Sequence, residues 1–451
     1  MKKTPIFDFV KKYAESGVLR MHMPGHKGMG ELGAETYDIT EISGADVLYR
    51  SDGIIKESEQ NASEIFGSAA TLYSTEGSSL SIRAMVYLVS VYARSLGKRP
   101  VIAAARNAHR AFFSAAAISD VDVVSVYPKS TDTILSCCLE PDDIELFLSG
   151  CTTTPTAVYI TSPDYLGNIA EVQSIAKICH NHGVLLLVDN AHGAYLRFLP
   201  KDQHPISLGA DIVCDSAHKT LPVLTGGGSL HISRSAPEFF FSRAEDAMAF
   251  FASTSPSYLT LSSLDLANKY LTDNYRRLLC DFAAAAEKTK KILCETGYTL
   301  IGSEPLKLSV SAAKFGYTGT ELADILRKHH SIECEFADPD FIVLMLSPGL
   351  GSDSLTRIEN ALGTVKKRPE KVMGSSRLVF LQPRRKLSVR EAMFAPYKNV
   401  PVKNAEGMIF ASAAISCPPA ISPVIAGEVI DENIIGILDY YNIDTVNTVL
   451  L

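Results

Sequence analysis

Between residues 70 and 235 the chain alternates short apolar runs with longer stretches of helical period. The runs fall at Thr71–Tyr73, Val101–Ala105, Val121–Val126, Ala157–Thr161, Val184–Asp189, Ile212–Asp215 and Ser229–Ile232. A strand with one face in water alternates polar and apolar residues. Most of these runs do not, which is the pattern of strands covered on both faces by helices. One intervening stretch places Ile169, Val172, Ile175, Ala176 and Cys179 at helical spacing, with Gly183 where a left-handed terminating residue is wanted. Buried strands alternating with helices predict an α/β fold with a mostly parallel sheet. In such sheets ligands gather at the carboxyl ends of the strands, so chemistry is sought just after each run.

The 451 residues allow two to three domains at roughly 100–200 residues each. Residues 1–60, rich in glycine and charge, read as an irregular arm. The large α/β domain is expected over 61–297, ending in a helical connector near 258–297. A smaller α/β unit is expected over 298–367, with a strand at Lys307–Ser311, a helix near Thr320–Lys328 and the apolar run FIVLML at 341–346. Residues 368–451, containing CPPAISP, read as a C-terminal cap.

The net charge of −7 argues against a generic nucleic-acid partner. No apolar run reaches the roughly 18–20 residues of a membrane span. The N-terminus returns to charge at Lys11 and Lys12 and lacks a secretory core. The nine cysteines are dispersed, with no zinc-like spacing, so reduced thiols in a cytoplasmic protein and no metal are expected.

The run VLLLVD ends in Asp189, and DIVCD runs into Ser216-Ala217-His218-Lys219. A carboxylate and an amine are thereby set on neighbouring strand ends. A desolvated amine can attack a carbonyl, and a buried carboxylate can keep a pyridine nitrogen protonated. Pyridoxal phosphate enzymes use this pair, a Schiff-base lysine and an aspartate on the ring nitrogen. Taken singly, Asp189 reads as a helix cap and Lys219 as a solvated loop lysine. A strand followed by Gly77-Ser78-Ser79 and a helix offers amides and hydroxyls to a phosphate, or an ordinary serine cap. Ser216 and His218 are further phosphate candidates. His109, after the strand VIAAA, is placed to stack on a planar ring or to cap the next helix. Gly226–Gly228 permit close backbone approach, but no nucleotide-binding glycine motif is present.

These motifs resemble the Orn/Lys/Arg decarboxylases in their short, Gram-positive-type form, a family of fold-type I pyridoxal phosphate enzymes. The resemblance spans nearly the whole chain: MHMPGHKG at 21–28, GIIKESE at 53–59, RNAHRAF at 106–112, TSPDYLG at 161–167, DNAHGAY at 189–195, DSAHKTLPVLTGGG at 215–228 and STSPSYL at 253–259. It implies a fold-type I large domain, a smaller α/β domain and a C-terminal decarboxylase cap. It also implies that Lys219 carries the cofactor, Asp189 bonds the ring nitrogen, and His109 stacks on the ring. Ser78, Ser79, Ser216 and His218 would hold phosphate, and His192 would lie beside the ring, near the reacting carboxylate. The segment at 253–258 would help complete a neighbouring subunit's phosphate site in a homodimer or a multiple of dimers. The chain has Tyr49 and Tyr195 where members often have His, and Gly226 where many have Gln; these changes are expected around the substrate side.

The implied activity is α-decarboxylation of a basic amino acid in polyamine biosynthesis, with arginine and lysine ranked ahead of ornithine. Glu41, Asp46, Glu333 and Glu335 are candidates for an acidic pocket by composition, or simply solvated charges. The alternatives are an aminotransferase or other lyase on the same fold, since fold does not fix reaction type, and a non-catalytic regulatory homologue.

Overall fold

The computed structural model describes residues 3–129, 136–372, 374 and 382–450. The chain divides into two compact units. One comprises Met1–Pro100, Pro155–Tyr159 and Val172–Arg277; the other comprises Val101–Thr154, Ile160–Glu171 and Leu278–Leu451. Strands form where the apolar runs predict them: β1 (Ala70–Ser74), β2 (Val101–Ala105), β3 (Asp122–Val126), β4 (Ala157–Thr161), β5 (Leu185–Asp189), β6 (Ile212–Asp215) and β7 (Gly228–Ile232). Every residue of β2, β6 and β7 is buried, including the polar Asp215, Ser229 and His231, and in β2 the run is apolar throughout.

In the first unit the strand order is β1-β7-β6-β5-β4. Strands β5 and β6 are parallel, and β7 runs antiparallel to both of its neighbours. The helix Gly77–Ser95 follows β1 after Thr75 and Glu76. The helix expected from residue 169 begins later, as Val172–Asn181. Ahead of it the amides of Asn168 and Ala170 are taken by the side chains of Asp164 and Ser162, and side chains that capture backbone amides compete with helix. The arm is more regular than expected: it opens with the helix Pro5–Glu15 and ends in the helix Ile54–Phe66.

In the second unit β2 and β3 pair in parallel. A smaller antiparallel sheet has the order β10-β11-β9-β8, from β8 (Thr299–Ile301), β9 (Lys307–Ser311), β10 (Phe336–Ala337) and β11 (Phe341–Met345). Its helix Gly319–His330 starts at a reciprocal cap between Thr318 and Glu321, the pattern S/T-x-x-E. The last stretch pairs β12 (Tyr397–Pro401) with β13 (Thr445–Val449). With the helix Glu432–Tyr440 these build an apolar cluster that includes Val400, Phe410, Ile434 and Val446. Residues 373, 375–381 and 451 of the expected cap lie outside the described residues. The nine cysteines are all free thiols. Among the described residues no helix is long and apolar enough to cross a membrane.

Candidate active site

Parallel pairing sets Asp189 beside Cys214, so the ends of β5 and β6 lie level. Asp189 closes β5 and is buried. Its Oδ2 accepts the hydroxyl of Tyr159 at 3.1 Å. Its Oδ1 accepts the amide of Ala191 at 3.1 Å and faces the Cys214 thiol at 3.5 Å. Burial, and then the charge of Asp189 itself, push the tyrosine and the thiol far above their ordinary values. Both therefore stay protonated and donate. Donors on both oxygens hold the carboxylate in one orientation.

After β6 the short helix Ala217–Thr220 carries His218 and Lys219. Lys219 Nζ lies 3.1 Å from Nε2 of buried His192, which follows Asp189 on the next turn. In the single chain Lys219 is exposed, unlike the desolvated amine that the sequence reading expects. Here the neighbour that can take or give its proton is His192.

The phosphate candidates meet on the other side of the same strand ends. Ser216 Oγ donates to Ser78 Oγ at 2.7 Å. Ser78 and Ser79 stand inside the first turn of Gly77–Ser95, not at its cap position, which is Glu76. The Gly77 amide donates to the Gly226 carbonyl at 2.6 Å, and His218 bonds the Gly227 carbonyl through Nδ1 at 2.9 Å. Gly226 has φ +94°, and a Cβ there would meet the Thr75 carbonyl oxygen at 2.6 Å. At Gly228 a Cβ would press on the Asp215 carbonyl at 2.8 Å and on the Gly77–Ser78 peptide. A side chain at either glycine would collide with backbone beside the N-terminus of the helix Gly77–Ser95, where the Ser78 and Ser216 hydroxyls and the dipole end of the helix suit an anion. The residues of this unit thus fit pyridoxal phosphate.

His109 belongs to the second unit. It is exposed and caps the helix Arg110–Ser119, its Nδ1 accepting the Ala111 amide at 3.2 Å. Tyr49 is buried, its hydroxyl on the Tyr73 carbonyl at 2.9 Å, and Tyr195 is fully buried in the turn Ala194–Phe198. Of the acidic candidates, Asp46 accepts the amides of Gly53 and Ile55, and Glu333 pairs with exposed Arg327. Sequence reasoning missed Tyr159, Cys214, Asn190 and Asp215. Asn190 and Asp215 are polar residues at or beside the end of an apolar strand, whereas Tyr159 and Cys214 lie within strands and read as core.

A buried carboxylate at one strand end, a lysine just past the next, and serine hydroxyls at a helix N-terminus beside them are the arrangement of a fold-type I pyridoxal phosphate enzyme. A solved SPT with PLP is similar, with a TM-score of 0.55 at 13% identity over 80% of this chain and 83% of that one. Lysine decarboxylase A from Pseudomonas aeruginosa is similar over 99% of this chain and 80% of its own, with a TM-score of 0.82 at 14% identity. The family model "Orn/Lys/Arg decarboxylase, major domain" matches residues 4–303. Arginine decarboxylase of Bacillus subtilis (strain 168) is 30% identical over 98% of this chain and 94% of its own. The chain belongs to the Orn/Lys/Arg decarboxylase family, and is a pyridoxal phosphate-dependent amino-acid decarboxylase acting on a basic amino acid.

Proposed function

We propose that this enzyme removes the α-carboxylate of arginine to give agmatine and CO2, with lysine the next candidate and ornithine the third. The observation that carries the site is the contact of Lys219 Nζ with His192 Nε2, on the strand end next to buried Asp189. Arginine is put first because curated relatives that align with nearly the whole chain bear that name, among them those of Bacillus subtilis and Halalkalibacterium halodurans.

Pyridoxal phosphate, when bound, supplies the electron-accepting ring that lets the bond from Cα to the carboxylate break. The chain's own work is holding and proton handling. Asp189, fixed by Tyr159, Ala191 and Cys214, would hold the protonated ring nitrogen. Ser78, Ser79, Ser216 and His218, with the helix amides, would hold the phosphate, and His109 would stack on the ring. Lys219 would anchor the cofactor. Its hydrogen bond to His192 would let a proton be held at, or passed between, these two nitrogens. His192 would also orient the departing carboxylate.

Lys219, His109 and the segment 253–255 are exposed in the single chain. That supports a homodimer, or a multiple of dimers, in which a second subunit completes the site. The proposed domains are 1–60, 61–297, 298–367 and 368–451, and the proposed setting is cytoplasmic polyamine synthesis.

The test supplies the purified protein with pyridoxal phosphate and all common amino acids, followed by mass spectrometry. Agmatine with loss of arginine is expected. Cadaverine or putrescine alone would overturn the substrate, and no amine product would overturn the reaction. A Lys219→Ala protein that kept the wild-type visible absorbance would overturn the lysine's role.

A further inference from the structure

Beside the strand ends that carry Asp189 and Lys219 lies a buried polar cluster with no part in the chemistry above. Asp215 closes β6, directly before Ser216, and is 1% exposed. Its Oδ1 accepts Nδ2 of Asn190 at 2.7 Å. Its Oδ2 accepts Nε2 of His204 at 3.0 Å and Nε2 of His231 at 3.1 Å. Asn190 is the residue after Asp189, His204 caps the turn Pro205–Leu208, and His231 lies in β7. One carboxylate therefore ties together the ends of β5 and β6, strand β7 and a loop.

The protons in this cluster can be placed. His204 Nδ1 accepts the Ile206 amide, so the ring proton sits on Nε2 and is donated to Asp215. In this tautomer His204 Nε2 is a donor to Asp215 rather than a free lone pair, although the His204, Asp215 and His231 ligand atoms lie within 4.8 Å of one another. Burial pushes the His231 imidazole down, and the Thr71 hydroxyl, itself bonded to Ser68, stands 2.8 Å from its Nδ1. For Asp215, burial opposes the charge, but the two histidines against Oδ2 outweigh it and hold the carboxyl well below the usual range. An isolated ionised carboxylate is costly to bury, so its donors must remain in place.

We propose that Asp215 is a positioning residue. By gripping Asn190 it fixes the Asp189 turn against the strand end that leads to Lys219, while His204 and His231 fix Asp215 itself. The proposal rests on assigning Asp189 and Lys219 to the cofactor.

Asp215→Asn keeps the size of the side chain and removes its charge. Asn190→Ala removes the link to the Asp189 turn and leaves the histidines in place. Both are read in the protein loaded with pyridoxal phosphate, by visible absorbance against pH, cofactor affinity and steady-state kinetics. Asp215→Asn is expected to lower the pH midpoint of the absorbance change by at least about half a unit, because a neighbouring negative charge favours the protonated form. Asn190→Ala is expected to weaken cofactor affinity about tenfold and to lower kcat by a similar factor, with KM within about twofold. If Asp215→Asn does not fold, Asn190→Ala still decides. Variants that melt earlier but keep wild-type absorbance titration, cofactor affinity and kcat would overturn the positioning role alone. If Lys219→Ala kept the wild-type absorbance, the assignment beneath it would fall as well.

Discussion

Asp189 is buried, yet both of its oxygens have donors, and Tyr159 is the one that brings a full hydroxyl at 3.1 Å. A hydrogen bond to a charged group is worth about 1.5–3 kcal/mol, more than most neutral pairs. Tyr159→Phe is therefore expected to destabilise the protein by about that amount in urea unfolding and to weaken its hold on pyridoxal phosphate in a reconstitution titration. Cys214→Ala, which loses only a weak thiol donor at 3.5 Å, should do distinctly less. Equal effects of the two variants would show that the hydroxyl is not what fixes Asp189. At this scale the sequence displays Asp189, which closes β5, and Ser216, which follows β6, because a polar residue after an apolar run stands out. It hides those that hold them. Tyr159 sits within the strand AVYIT and Cys214 within IVCD, where they read as core. Only the pairing of β5 with β6 makes a donor of Cys214.

At the scale of elements, strand β1 pairs with β7 along one side only within the first unit. An edge strand leaves backbone groups that need partners. At Tyr73 side chains supply them: the amide donates to Glu59 on the helix Ile54–Phe66 at 2.9 Å, and the carbonyl accepts the Tyr49 hydroxyl at 2.9 Å. Burial pushes the Glu59 carboxyl from 4.5 up to about 8, against the opposing pull of the Tyr73 amide and Lys56. Between those two values the folded chain holds a proton that the unfolded chain has released. Stability from this group is therefore greatest below about pH 4.5 and is lost as pH rises through about 8. Glu59→Gln, which cannot titrate, is expected to flatten the fall in melting temperature from pH 5 to pH 8 seen by calorimetry of the loaded protein. Parallel melting curves across that range would refute the assignment. The same contrast separates the elements that the sequence revealed from those it concealed. Buried strands such as β2 announce themselves because their positions are apolar on both faces. The helix Pro5–Glu15 does not, since it buries little beyond Ile6 and Val10 and its first amides are satisfied by Asp265, 259 residues away. A helix held by tertiary contacts leaves no complete local pattern.

On the largest scale, the second unit is assembled from stretches remote in sequence, Val101–Thr154 and Leu278–Leu451 among them. A buried ion pair ties them, between Arg106, directly after β2, and Glu428 of the last stretch. The guanidinium meets both carboxylate oxygens, at 2.8 and 2.7 Å, and also donates to the Pro423 carbonyl at 3.1 Å. The partners are 1% and 2% exposed. No reading of the sequence could find this pair, because nothing local matches residues 322 positions apart. A buried ion pair adds little net stability, since desolvation offsets attraction, but removing one partner strands the other. Glu428→Ala is thus expected to cost about 3–5 kcal/mol in urea unfolding, Glu428→Gln less, and the double change Arg106→Met with Glu428→Leu little or nothing. The double variant is the informative one. If it matches the wild type in stability, the pair serves to fix which stretch of chain closes over β2, three residues ahead of His109. If it is as unstable as Glu428→Ala, the pair contributes stability outright, and the C-terminal stretch is bound to the unit by charge rather than by its apolar cluster.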